Sequence, residues 1–120
     1  MATNQVYNYG DQFDVPAAAV AAPAAPGSGD ALLIGGALPA VALTDPHDDA
    51  AGTSQITVKT NGVYELEVAA AGGPIAVGDL VYIDSTTGAL NDSNGNVRFG
   101  YALGAIDNGA TATIPVKIGY

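Results

Sequence analysis

Across 120 residues the chain sets Lys59, Arg98 and Lys117 as its only cations against twelve acidic residues, for a net charge of −9. Such a chain repels phosphate, so nucleic acid is a poor partner. With neither Cys nor Trp, it can form no disulfide or thiolate metal site, and its core must come from Val, Ile, Leu and Tyr.

The length suits one domain that buries a core without staples. No apolar run reaches the ~18 residues of a membrane span, so no membrane partner is expected. The start, Met1–Gln5, lacks the basic and apolar pattern of a secretory signal. The expectation is a chain made in the cytosol and used there or in something assembled there.

Residues 1–9 are polar with interleaved Val6, Tyr7 and Tyr9 and read as an extended arm. The remainder, 10–120, reads as a single β domain. Val6, Tyr7, Tyr9 and Phe13 either cover the domain's own core or add to a partner's sheet or groove. Within the domain, 16–29 is nearly all Ala, Pro, Gly and Ser. It reads as a surface loop of polyproline character, with a helical turn after Pro16 as the alternative.

Three Gly-Asp pairs then lead into apolar runs: Gly78-Asp79 before Leu80–Ile83, Gly29-Asp30 before Ala31–Ile34, and, more faintly, Gly10-Asp11 before Gln12–Val15. Gly supplies turn dihedrals and Asp can accept nearby backbone N–H groups, so these are strand starts. Gly35-Gly36 is a candidate two-residue turn between Ala31–Ile34 and Leu38–Thr44. Asp45–Ser54 is an acidic loop. Gln55–Lys59 and Val63–Val68 read as a hairpin with a three-residue loop and a left-handed Gly62, pairing Val58 with Tyr64 and Ile56 with Leu66.

Leu80–Ile83 is apolar on both faces and reads as a central strand. Asp92–Asn96 is a polar turn. Val97–Ile106 and Thr111–Ile118 read as a hairpin on a type I′ Asn108-Gly109 turn, pairing Leu103 with Ile114, Tyr101 with Val116 and Phe99 with Ile118. Pro115 implies an open edge nearby. Gly100, Ala102 and Gly104 leave room for a close backbone. The fold class is all-β: a compact sandwich or small barrel of short antiparallel strands with an extended N-terminal arm.

Chemistry is sparse. The only His, His47, lies among Asp45, Asp48 and Asp49 and reads as part of a solvated loop, not a metal or acid/base site. Asp92–Asn96 fails calcium-loop spacing. Glu65 and Glu67 share one strand face and read as solvated, not as paired catalytic carboxylates. No phosphate-binding Gly loop or nucleophile elbow occurs. The expectation is no enzyme, with no catalytic residue, cofactor or metal.

The ordered set Gly10-Asp11-Gln12-Phe13-Asp14-Val15, Gly29-Asp30 with Leu32–Gly35, Val41-Ala42, Asn61-Gly62-Val63-Tyr64-Glu65-Leu66, Gly78–Asp84 and Gly100–Gly104 resembles the tailed-phage capsid cement or head decoration proteins. The Ala/Pro-rich stretch 16–26, the acidic loop 45–54 and Tyr120 depart from the family pattern. The resemblance implies a structural virion protein on the capsid exterior. There it would bind the major capsid protein, often as a homotrimer, and bridge capsid subunits. Val6, Tyr7 and Tyr9 become candidate capsid-binding residues. A second reading is a virion-surface module recognising host glycans.

Overall fold

Short apolar–polar alternations punctuated by Gly, Asn and Asp fold into two sheets. The computed structural model describes residues 12–118, so the expected arm, with Val6, Tyr7 and Tyr9, lies outside the described residues. The first sheet contains β1 (Gln12–Pro16), β2 (Val20–Ala22), β3 (Ala31–Ile34), β4 (Leu38–Ala42), β5 (His47–Asp48) and β6 (Ser54–Lys59). Its order is β1-β6-β4-β3-β2, with β5 also against β6. The second closes into a five-stranded barrel, β10-β11-β7-β9-β8, made by β7 (Val63–Ala69), β8 (Leu80–Ile83), β9 (Leu90–Asn91), β10 (Val97–Ala102) and β11 (Thr111–Ile118). Closure runs through the parallel β7–β9 pair; the other strand pairings are antiparallel. The all-β expectation holds.

Val68, Val81, Ile83, Phe99, Val116 and Ile118 are buried in the barrel's core cluster, which Ala22, Leu33 and Val41 of the first sheet complete. A second cluster, Leu32, Ala40, Ala42, Ile56 and Val58, is flanked by Phe13, Val15, Val20 and Ile34. Each fully buried Leu, Ile or Phe contributes about 2 kcal/mol. Phe99 reaches the core through a bulge: Arg98 pairs with Tyr82 and Gly100 with Val81, which leaves Phe99 as the extra residue. The bulge also resets alternation, so Arg98 and Tyr101 meet. The Arg98 guanidinium donates to the Tyr101 hydroxyl at 2.6 Å and lies 5.6 Å from its ring centroid.

The two sheets repeat one construction. In Gly27–Asp30 and in Ala76–Asp79, the Asp N–H donates to the carbonyl three residues back, at 3.1 Å in both. The intervening Gly29 and Gly78 have φ of 87° and 94°, which an L side chain rarely adopts. Each Asp carboxylate accepts the N–H of the turn's first residue at 2.9 Å. Gly29 N–H then donates to the Ala42 carbonyl while Ala42 N–H donates to Asp30; Gly78, Ala102 and Asp79 repeat both bonds. One residue on, Leu43 N–H donates to the Thr57 carbonyl and Leu103 N–H to that of Pro115, both at 2.8 Å.

The correspondence continues through the registers. Phe13, Asp14 and Val15 face Val58, Thr57 and Ile56 as Tyr64, Glu65 and Leu66 face Val116, Pro115 and Ile114. Val41 faces Lys59 as Tyr101 faces Lys117. Thus β1, β3, β4 and β6 correspond to β7, β8, β10 and β11, and Ile56-Thr57-Val58-Lys59 to Ile114-Pro115-Val116-Lys117. The Gly10-Asp11 echo lies outside the described residues.

Several local expectations are corrected. Gln55–Lys59 and Val63–Val68 do not form a hairpin: β6 pairs with β1, β4 and β5, and β7 with β11 and β9. Gly62 is left-handed as expected, with φ of 101°, but it turns the chain from one sheet into the other. Alternation fixed the inward faces of both strands; each face meets a different core cluster.

The β10–β11 register is shifted by one, with Ala102 opposite Val116 and Gly100 opposite Ile118, because residues after Leu103 leave the sheet. Ile106 exchanges both backbone bonds with Ile75, and Ala110 N–H closes on the Asp107 carbonyl. Gly109 has φ of 79° while no described non-Gly residue, Asn108 included, is positive, so the Asn108-Gly109 turn is type II-like, not I′. The ladder to β10 ends beside Pro115, while β7 remains paired to it. The edge expected near Pro115 is thus present on the β10 side, toward Thr113, while β7 covers the other side of the strand.

The β3–β4 loop holds three residues, since Ile34 pairs with Leu38. Leu80 and Tyr82 are only half-buried, so β8 is not buried on both faces; in a closed barrel its outer face looks outward. Residues 16–29 hold a 3-10 turn at Ala17–Ala19, the alternative reading of a helical turn after Pro16, and strand β2, which the small Ala side chains concealed. The acidic loop contributes β5, closed by Asp49.

Candidate interaction surfaces

Six of the twelve acidic side chains accept backbone N–H groups. Asp49 Oδ1 accepts the N–H groups of Ala51 and Thr53, both at 2.9 Å. Asp45 accepts Ser28 N–H at 2.8 Å, and Asp92 accepts Gly72 N–H at 2.9 Å. Asp84 Oδ1 accepts Thr86 N–H at 2.7 Å and Thr87 N–H at 3.1 Å. Those two amides, Thr86 foremost, hold the Asp84 carboxyl below its ordinary range.

His47 is exposed on β5, its Nδ1 3.2 Å from the Asp45 carbonyl and 3.4 Å from the Thr44 hydroxyl. It is bound into a turn. Among the described residues no group of three or more His, Cys, Asp or Glu is arranged to hold a metal. Glu65 and Glu67 are exposed on β7. With Asp30 and Thr113 they line an open groove of about 320 Å³ between the first sheet and the barrel.

Apolar exposure is confined to a few positions. Val77 and Leu103, 66% and 40% exposed, flank the Gly78–Ala102 hydrogen bond at one end of the barrel. Leu38 and Val63 are the other large exposed hydrophobics among the described residues. Sequence reasoning missed Leu103 because it paired that side chain inward with Ile114. The unforeseen bulge at Phe99 and the departure after Leu103 instead leave it half open.

Tyr64, Tyr82 and Tyr101 are half-buried within strands. Nothing in these positions forms an aromatic glycan platform. Val6, Tyr7 and Tyr9 lie outside the described residues.

Neither a curated protein nor a solved structure matches this chain. The family profile described as phage cement protein matches residues 5–118. With an all-β scaffold beneath that match, the chain belongs to the phage cement protein family, structural components of the virion.

Proposed function

We propose that the protein binds the outer surface of the phage head and stabilises it by bridging copies of the major capsid protein, acting as a homotrimer. The family match over residues 5–118 carries this reading. The structure supports it by what its polar groups do: six of the twelve acidic side chains accept backbone N–H groups, while apolar Val77 and Leu103 stand exposed at one barrel end. A net charge of −9 suits an exterior position, where the genome is not a partner. Val6, Tyr7 and Tyr9 would add an apolar arm to the contact. Many modest contacts spread over a shell raise its resistance to rupture collectively.

Purified protein added to undecorated, expanded heads should co-sediment saturably and raise the temperature at which heads release DNA. Removing residues 1–9 should weaken binding about tenfold, a loss of ~1.4 kcal/mol. Absence of saturable binding would reject the capsid reading; unchanged affinity after the deletion would reject the arm's part in it.

A further inference from the structure

Among the described residues, the duplicated construction leaves one lane filled in the first sheet and empty in the barrel. Beside β6, β4 supplies partners for Lys59 and Val58, and Leu43 N–H reaches the Thr57 carbonyl. The Thr44 hydroxyl takes Thr57 N–H at 3.3 Å. Then β5 resumes the same lane, with His47 opposite Gln55 and Asp48 opposite Ser54. Beside β11 the corresponding lane starts identically, with β10 and the Leu103–Pro115 bond. There it stops. Residues after Leu103 turn over the barrel end, where Ile106 bridges Ile75.

Antiparallel geometry fixes which groups this exposes. Residues along a strand direct their backbone groups alternately to its two neighbours. Tyr101 faces Lys117 and Leu103 bonds to Pro115, so Thr113 and Thr111 turn their N–H and C=O toward the vacant lane. Ala112 and Ile114 turn theirs toward β7. Both Thr residues are exposed. Pro115 has no N–H to offer, so the usable edge begins at Thr113.

We propose that this lane receives a short extended segment of the capsid protein, antiparallel to β11, occupying the place that β5 fills beside β6; the proposal rests on the capsid reading above. The molecule's own β5 shows that two paired residues suffice to occupy such a lane. The exposed carboxylate of Glu67, opposite Thr113 on β7, sets the chemistry of the occupant. A residue paired with Thr113 projects to the same face, two strands from Glu67, about 10 Å away. A Lys or Arg can span that gap, whereas an acidic segment, including this chain's own −9 surface, would be repelled. Leu103 and Val77 beside the lane's entrance supply apolar contact for the segment's flank.

Amide hydrogen exchange on the full chain, free and bound to expanded heads, tests this. Thr111 and Thr113 should exchange rapidly in free protein and at least 100-fold more slowly on heads. A Thr113→Pro variant, which removes the edge donor without touching a bond to β7, should bind heads at least tenfold more weakly; its circular dichroism and melting temperature report the fold separately. Saturable binding with Thr113 still fast on heads overturns the lane while leaving capsid binding intact. No binding at all overturns both. Protection that appears in free protein as concentration rises gives the lane to a second copy and overturns the capsid occupant.

Discussion

Gly100→Ala asks how tightly the barrel is closed. Gly100 lies opposite Ile118 and Val81, and a Cβ built on it would collide with the Lys117 carbonyl oxygen and come within 3.2 Å of Ile118 Cα. The obstacles are backbone atoms of a paired strand, so no rotamer change relieves them. Overpacking costs about 1–3 kcal/mol in ordinary cores, and this site should reach ~3 kcal/mol.

The molecule contains its own control. Ala40 occupies the matching place in β4, opposite Leu32 as Gly100 is opposite Val81. It keeps a fully buried methyl there, because the β4–β6 ladder stops at Val41 and Lys59. Ala40→Gly should lose ~0.8 kcal/mol of methyl burial and about as much in backbone entropy. In urea melts with a slope of ~1.5 kcal/mol per molar, the Gly100→Ala midpoint should fall by ~2 M and the Ala40→Gly midpoint by ~1 M. A Gly100→Ala loss below ~1 kcal/mol would refute the tight-closure argument.

Asp30→Ala and Asp79→Ala remove equivalent turn caps and should each cost about 1 kcal/mol in the same melts; one neutral variant would show that the repeated bonds are not energetically equivalent. The Asp84 carboxyl, lowered in the fold by the Thr86 and Thr87 amides, contributes stability that is complete above an unfolded pKa of about 3.9 and lost as pH falls through the lower folded value. An NMR titration should show the Thr86 and Thr87 amide shifts moving with a midpoint below about 3.9; a midpoint at or above it contradicts the hydrogen-bond account.

The strand positions were largely legible because alternation and Gly/Asn/Asp turns are local signals. Pairing was not. Val58 and Leu66 both alternate inward, yet they enter different clusters, and periodicity cannot say which cluster a strand serves. Asn108-Gly109 looked like a hairpin tip; the bonds of Ile106 to Ile75 and Gly109 to Ala70 depend on partners more than thirty residues away. The Gly-Asp starts were readable as turns, whereas their matched bonds to Ala42 and Ala102 emerge only in three dimensions. Pro115 announced an open β11 edge nearby, but its extent along Thr113 and Thr111 depends on where residues after Leu103 travel, which no local pattern specifies.

Because the first sheet and the barrel are built from consecutive stretches of chain, the order of synthesis bears on how the molecule completes itself. Every strand of the first sheet precedes β7, and a ribosome delivers about 5–20 residues per second. The sheet can therefore pair, even across the Asp14–Thr57 separation of 43 residues, before the barrel's last strand exists. Yet Leu33 and Val41 belong to the barrel's cluster and remain uncovered until β11 arrives. For some seconds the nascent chain carries a finished sheet with one naked apolar face. Conditions that slow elongation should lengthen that exposure and send more chains to chaperones or aggregates.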